Sequence, residues 1–261
     1  MKGLYKIILK KDLRVVLSNK MMWVPMLILP VIFTIIIPAA LFIVAQFPES
    51  SNDFKEIGSI LGDEAAGLND SQLLIYFAVN FMMPGFFLII PIMSASVIAG
   101  SGFITEREHK TIETLLYSPI KVKDLFIAKI YAAFIPAYAV TLISFILFSI
   151  VIIIGQSFYF DNFFFPNFKW AVLILWVSPA VAILAILIMI VASAKSKNFQ
   201  EAQQRVVFII LPVILLIIGQ VSGLFALNTL LLAILGLAIF LLNYILLTAA
   251  ANSFVPEKLI K

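Results

Sequence analysis

The side chains that could do acid–base or metal chemistry gather in one charged segment, residues 101–129. Glu106, Glu108 and Glu113 lie in it together with His109, the single histidine of the chain. A membrane enzyme acting on lipid would need such groups to converge on a metal ion or a phosphate. On a helix these carboxylates point in different directions, and no second loop offers matching ones. We therefore predict no catalytic residues and no metal site, and we expect His109 to be a solvated surface residue.

The sequence contains no motif of a nucleotide-binding enzyme. It has no G-x-x-x-x-G-K-[ST] loop, and Gly100-Ser101-Gly102 lacks the third glycine of a dinucleotide fingerprint. The absence of cysteine excludes disulfides and thiolate metal sites. We expect this chain to bind no cofactor and to be unable to hydrolyse ATP alone.

Three polar residues, Asn80, Ser94 and Asn243, stand inside long apolar stretches and are candidates for lining a substrate path. A side-chain amide facing lipid is costly, so these groups should face protein or water. Hydrogen bonding between helices is the alternative interpretation for each of them. No charged residue falls inside the apolar stretches, which disfavours an ion-coupled secondary transporter.

The composition identifies the bilayer as the main solvent of this chain. Of its 261 residues 63% are hydrophobic and 12% are charged, and the mean hydropathy is +1.12. Soluble domains carry about 25% charged residues. The apolar stretches predict an all-α polytopic membrane domain over 1–261 with six transmembrane helices, at 21–47, 73–100, 130–155, 170–193, 206–218 and 229–251.

The distribution of cations predicts the orientation of this domain. Lys and Arg number 18, and all but Lys55 and Lys169 lie in the segments 1–20, 101–129, 194–205 and 252–261. The acidic residues divide evenly between the two sides, seven and seven, so the asymmetry belongs to the cations. We predict a cell-membrane protein with both termini cytoplasmic. The basic residues flank spans and form no stripe, so nucleic acid is not an expected partner.

Residues 1–20 combine six cations with apolar residues and predict an amphipathic helix on the membrane surface. A cleaved signal peptide is the alternative, but the following apolar run is too long for one. Pro25, Pro30 and Pro38 predict a kinked first span. Phenylalanines crowd the segment 158–168, which ends near Trp170. This cluster favours an interfacial aromatic belt, with a substrate-facing vestibule as the alternative.

Segment 101–129 is patterned as a short cytoplasmic helix. Glu106 and Lys110 stand four residues apart in the favourable order, and Ile112, Leu115 and Leu116 form an apolar strip. Pro119 then ends the helix. The apolar strip needs a partner, which is either the membrane surface or a groove in a soluble protein.

The residues of this helix resemble a family signature. Glu106-Arg107-Glu108, Lys110-Thr111, Glu113, Leu115-Leu116 and Ser118-Pro119 are similar to the E-[KR]-E-x-[GK]-T-x-E-x-L-L-x-[ST]-P motif of ABC type-2 transporter permeases, in the sodium-efflux and drug- or peptide-efflux branch. Lys110 replaces the glycine of many members. The layout of a surface helix, six spans and this motif after span two also resembles that family.

The resemblance implies a coupling element that contacts a separate ATP-binding subunit, present in two copies, which would bind ATP and Mg²⁺. The residues carried over to it are Glu106, Arg107, Glu108, Thr111, Glu113, Leu115, Leu116 and Pro119. The resemblance also implies a second permease protomer, identical or related. The chargeless spans suggest an amphipathic or hydrophobic substrate such as a peptide or drug-like molecule. An assembly or immunity factor, or a lipid-modifying enzyme, is the alternative.

Overall fold

The computed structural model describes residues 20–47, 58, 61, 67–108, 122–196, 199–222 and 227–253. All regular elements in these ranges are helices, which confirms the all-α prediction. In chain order they are α1 (Lys20–Val31), a π-helical turn (Ile32–Ile36), α2 (Ile37–Val44), α3 (Asp70–Phe77), a second π-turn (Ala78–Met82), α4 (Met83–Phe87), α5 (Ile89–Glu108), α6 (Val122–Gln156), α7 (Phe168–Val172), a third π-turn (Leu173–Val177), α8 (Ser178–Lys195), α9 (Phe199–Val221) and α10 (Thr229–Ser253).

Five helical stretches of the described chain are long and apolar enough to cross a membrane. They are Met26–Val44, Asp70–Gly102, Ile127–Gln156, Phe168–Ser193 and Thr229–Thr248. They match the predicted spans one, two, three, four and six, and we keep those ordinal names. The predicted span five corresponds to α9, whose apolar part Ile210–Val221 is shorter. The count of six therefore stays a prediction, and the predicted surface helix at 1–20 lies outside the described residues apart from the backbone of Lys20.

Spans two and four form the centre of the bundle. Most of their residues are buried, whereas spans one, three and six are mostly exposed through isoleucine and leucine side chains. α8 packs most extensively on α5, and serine and alanine side chains such as Ala95, Ala182 and Ala185 are fully buried there. Small side chains let neighbouring backbones approach closely, which is the usual basis of helix association in lipid.

The two ends of the bundle differ in character. We call the end that carries the close of α2, the start of α3, the loop Ser157–Asn167 and the start of α7 the aromatic end. The opposite end, where α5 finishes and α6 begins, is the basic end. Hydrogen bonds link the elements of the aromatic end, including Tyr159 Oη to the Phe42 carbonyl at 2.8 Å and Gln72 Nε2 to the Tyr159 carbonyl at 2.7 Å.

Each of the three π-turns stands immediately before a proline-containing turn. Pro38, Pro84 and Pro179 each lie two residues beyond the end of a π-turn. The hydrogen bonds that close these turns run from the N–H of Ile37, Met83 and Ser178 to the carbonyl five residues earlier. Proline has no N–H and its ring collides with the carbonyl four residues earlier, so the helix widens locally. A π-turn of this kind is present in each of spans one, two and four, and the predicted kink of span one stays a prediction.

A buried aromatic cluster fills the centre of the aromatic end. Trp170 is 0% and Phe165 is 1% exposed. The Trp170 ring centroid lies 4.8 Å from that of Phe148, 5.6 Å from that of Phe165 and 5.7 Å from that of Phe87. The belt interpretation suits Phe158, Phe163 and Phe168, which are exposed, but it is wrong for Phe165 and Trp170. These two are core residues because the loop folds back over the bundle.

The side chain of Gln156 holds this loop in place. Its amide nitrogen donates to the Phe165 carbonyl at 2.8 Å, and its oxygen accepts from the Phe165 N–H at 3.3 Å. Gln156 is fully buried at the end of α6. Its side-chain amide therefore bonds the N–H and carbonyl of Phe165, which lie outside any helix and would otherwise need water as a partner. Gly155, the preceding residue, lets the Phe42 ring pack directly against its backbone.

Candidate functional site

The backbone carbonyl of Asn80 is the first element of the candidate site. In an α-helix it would accept from the N–H of residue 84, which is proline. Instead it accepts from the ammonium of Lys169, at the start of span four. The Asn80 side chain is also used, because its oxygen accepts from Asn167 Nδ2 at 2.7 Å. The first turn of span four therefore holds both the backbone and the side chain of one residue in span two.

The same principle joins spans three and four. The Ile174 carbonyl stands five residues before Pro179, which has no N–H, while the N–H of Ser178 bonds to Leu173. Tyr138 Oη donates to the Ile174 carbonyl at 3.0 Å. Neighbouring helices thus supply the donors that proline removes, as is required where water is absent.

Two of the three predicted path-lining residues make hydrogen bonds within the protomer. Asn80 is 4% exposed, and its Nδ2 donates to the Tyr76 carbonyl at 3.2 Å besides the bond to Asn167. Asn243 is 5% exposed, and its Nδ2 donates to the Ala180 carbonyl at 2.8 Å. These contacts favour the alternative of interhelical hydrogen bonding. Substrate-path lining by these residues stays a prediction.

Ser94, the third of them, is 1% exposed, and its hydroxyl has no hydrogen-bond partner within the described parts of the chain. Ser178 Oγ and Asn243 Oδ1 are also buried and have no hydrogen-bond partner in these ranges. The carbonyl four residues before Ser178, that of Ile174, accepts from Tyr138 Oη.

Two cations are part of the bundle although the sequence placed them at its borders. Lys129 lies near the start of α6, is 7% exposed and has an interaction partner. Lys169 is half-buried, and its Nζ lies 5.0 Å from the centroid of the Phe81 ring. The helices extend beyond the predicted spans and include both residues, so the expectation of chargeless spans was too strict. The sequence did contain an indication of the role of Lys169, because a lone lysine stands beside a tryptophan at a span boundary and another span contains an internal proline.

Gln220 is a further polar residue that sequence reasoning missed. It is 0% exposed near the end of α9, and neither of its amide atoms has a hydrogen-bond partner in the described ranges. One turn earlier, Ile217 packs directly on the backbone of Gly85 in span two. A buried unpaired amide destabilises the fold by about 1–3 kcal/mol.

The predicted coupling element is described only in part. α5 continues without interruption past the apolar limit of span two and carries the backbone of Glu106, Arg107 and Glu108. The positions Thr111, Glu113, Leu115, Leu116 and Pro119 lie outside the described residues. Among the residues that are described, no group of three or more His, Cys, Asp and Glu could hold a metal ion. The roles of the coupling residues stay predictions.

The long apolar helices define a multi-pass membrane protein built around two central spans. Residues 6–257 match the family described as ABC-2 family transporter protein. The chain belongs to the ABC-2 transporter family, because this match covers nearly all of its length. Its members are permease components of ABC transporters, which implies an ATP-binding subunit as partner. No curated protein and no solved structure matches the chain significantly.

Proposed function

We propose that this protein is the membrane-spanning permease subunit of an ATP-driven exporter, powered by a separate ATP-binding subunit that binds ATP and Mg²⁺. The match of residues 6–257 to the ABC-2 transporter family carries the proposal. The apolar spans found in the structure support a conduit built of helices, and the buried polar groups there are mostly neutral serine and amide side chains. Such an interior suits an amphipathic or hydrophobic substrate, such as a peptide or drug-like molecule.

The orientation belongs to this proposal. The cation bias supports a cytoplasmic location of the basic end and of both termini. α5 then delivers Glu106, Arg107 and Glu108 to the ATP-binding subunit on a helix continuous with the core of span two. A continuous helix transmits a push or tilt as a rigid body. Two ATP-binding subunits acting on two permease protomers, identical or related, complete the proposed assembly.

Cysteine labelling tests this orientation directly, since the native chain contains no cysteine. Asp161→Cys, at an exposed position of the aromatic end, should react with a membrane-impermeant maleimide added to intact cells. Lys110→Cys should react only after the membrane is permeabilised. The matched control is the cysteine-free parent, which should not react at all. The opposite pattern would invert the orientation and remove the coupling role from residues 101–129.

Purification from the native host in mild detergent tests the transport function. We expect a soluble P-loop ATPase to copurify, and its ATP hydrolysis in liposomes to rise several-fold with a transported amphipathic compound. Copurification without transport of any compound would instead favour an assembly or immunity factor. An intact, monodisperse protein that binds no ATPase would contradict the exporter proposal and leave a lipid-modifying enzyme or scaffold as the better explanation.

A further inference from the structure

The contact between spans two and four at the aromatic end is concentrated on one residue. Asn80 receives Asn167 on its side chain and Lys169 on its carbonyl, and the Lys169 ammonium also faces the Phe81 ring. The side chain of Asn167 caps the start of α7, because its Oδ1 accepts from the backbone N–H of Trp170 at 3.3 Å. The first turn of span four is therefore capped by the same residue that bonds Asn80, and it carries a charged donor.

This contact lies at a point where span two can bend. The π-turn Ala78–Met82 separates the short outer helix α3 from α4 and α5, and Pro84 removes the hydrogen bond to Asn80 that would resist bending. α3 is only 8 residues long. Hinges absorb motion at such element boundaries. The Lys169 contact thus ties the easily bent π-turn of span two to the start of span four.

The chemistry of the donor distinguishes this contact from the other interhelical bonds. Asn243 donates from a position that is almost fully buried, where a released donor would find no water. Lys169 is half-buried at the end of the bundle, on a flexible side chain with three donor protons. Such a side chain can swing its ammonium into water while its stem stays in place. The charged Lys169 donor therefore has a favourable hydrated state available when the helices part.

We propose that Lys169 is a positioning residue that acts as a reversible latch at the aromatic end, an inference that rests on the proposed permease function. When the latch is closed, the ammonium holds the Asn80 carbonyl and α3 lies against the loop Ser157–Asn167, which Gln72 Nε2 and the Tyr76 ring contact. When it opens, the ammonium is hydrated and α3 pivots at the π-turn, which exposes the inner face of α3. Because an ionic hydrogen bond shifts a conformational equilibrium by roughly tenfold or more, this contact is strong enough to set the closed population and weak enough to be broken.

The native absence of cysteine gives a clean measurement of latch opening. Ile75 on α3 is 0% exposed, so Ile75→Cys should react with a water-soluble maleimide only when α3 moves. In this background, in native membranes, we expect Lys169→Met to raise the labelling rate roughly tenfold, since it keeps the length of the side chain but removes the donor. Lys169→Arg should stay within about twofold of the parent, because it retains the charge and the donors.

Two controls separate latch opening from general loosening. Ala185→Cys, also 0% exposed but on α8 beyond the hinge, should keep its labelling rate in the Lys169→Met background. Tyr138→Phe removes the donor to the other proline-freed carbonyl and should leave the Ile75→Cys rate unchanged. The latch is overturned if Lys169→Met does not accelerate Ile75→Cys labelling, if Lys169→Arg accelerates it equally, or if either control changes with it. Labelling needs no ATPase, so these results are independent of whether the exporter proposal holds.

Discussion

The double variant Glu113→Lys, Leu116→Asp should lose its ATP-binding subunit. The resemblance places both residues in the coupling element, and from their side-chain chemistry we propose that Leu116 is a desolvated anchor and Glu113 a charge-assisted contact. Loss of one buried anchor costs about 2 kcal/mol, which corresponds to roughly a 30-fold weaker complex, and the charge reversal adds repulsion. We expect the copurified ATPase to fall at least tenfold by quantitative mass spectrometry, with the permease still present in the membrane.

The control for this variant is Asp161→Lys, which reverses a charge at an exposed position of the opposite end. It raises the net charge by two, and the double variant raises it by one. Asp161→Lys should retain the ATPase at the parental level. If both variants retain the ATPase, residues 101–129 are not the coupling element, and another part of the basic end must provide it. If both lose it, the change in net charge and not the contact is responsible.

Trp170→Ala should be the most destabilising single substitution in the bundle. The indole is 0% exposed and touches the rings of Phe87, Phe145, Phe148 and Phe165. Replacing a large buried aromatic by alanine costs about 3–5 kcal/mol through lost contacts and the cavity left behind. Because lipid cannot enter a closed core, we expect a marked fall in Tm and in the denaturant midpoint of the purified protein.

Two neighbours calibrate this result. Phe168→Ala removes a side chain that is 74% exposed and should change stability by no more than about 0.5 kcal/mol. Trp170→Phe should cost less than about 1.5 kcal/mol, because it keeps an aromatic ring and removes an indole N–H that has no acceptor among the described residues. Equal losses for Trp170→Ala and Phe168→Ala would mean that the aromatic cluster is not a packed core.

The helical class and five of the predicted spans followed from the sequence because the bilayer imposes a simple constraint. A stretch of some 20 apolar residues has few alternatives to a helix in lipid. The limits of the spans were harder to predict. The predicted spans stopped at charged residues, yet α6 includes the buried Lys129 and span four includes Lys169. A long lysine side chain tolerates such a border position, so charge marks the end of a span only to within about a turn.

The aromatic loop shows why composition could not predict the rest. Exposed Phe163 and buried Phe165 differ by two positions in a segment without regular structure, where no periodicity distinguishes inside from outside. The backbone of Phe165 is held by two hydrogen bonds to the side-chain amide of Gln156, nine residues earlier, and the aromatic pattern does not reveal these bonds. The hydrogen bonds of Asn80 with Asn167 and of Asn243 with Ala180 could likewise not be predicted from the sequence, because the partners lie 87 and 63 residues away in the chain. Those pairs are products of tertiary packing.

The proline-freed carbonyls also bear on how the helices find their neighbours. Lipid tails are as apolar as leucine, so smooth apolar helices could rotate or slide past one another at little cost. An unpaired carbonyl at one depth and on one side of a helix makes these arrangements unequal in energy. A donor on the neighbouring helix reaches that carbonyl in only one rotation and one vertical alignment. Pro84 with Lys169, and Pro179 with Tyr138, therefore encode assembly information in pairs. In a chain so rich in interchangeable apolar side chains, a few prolines that weaken one helix thereby determine the rotation and the depth at which its neighbour packs.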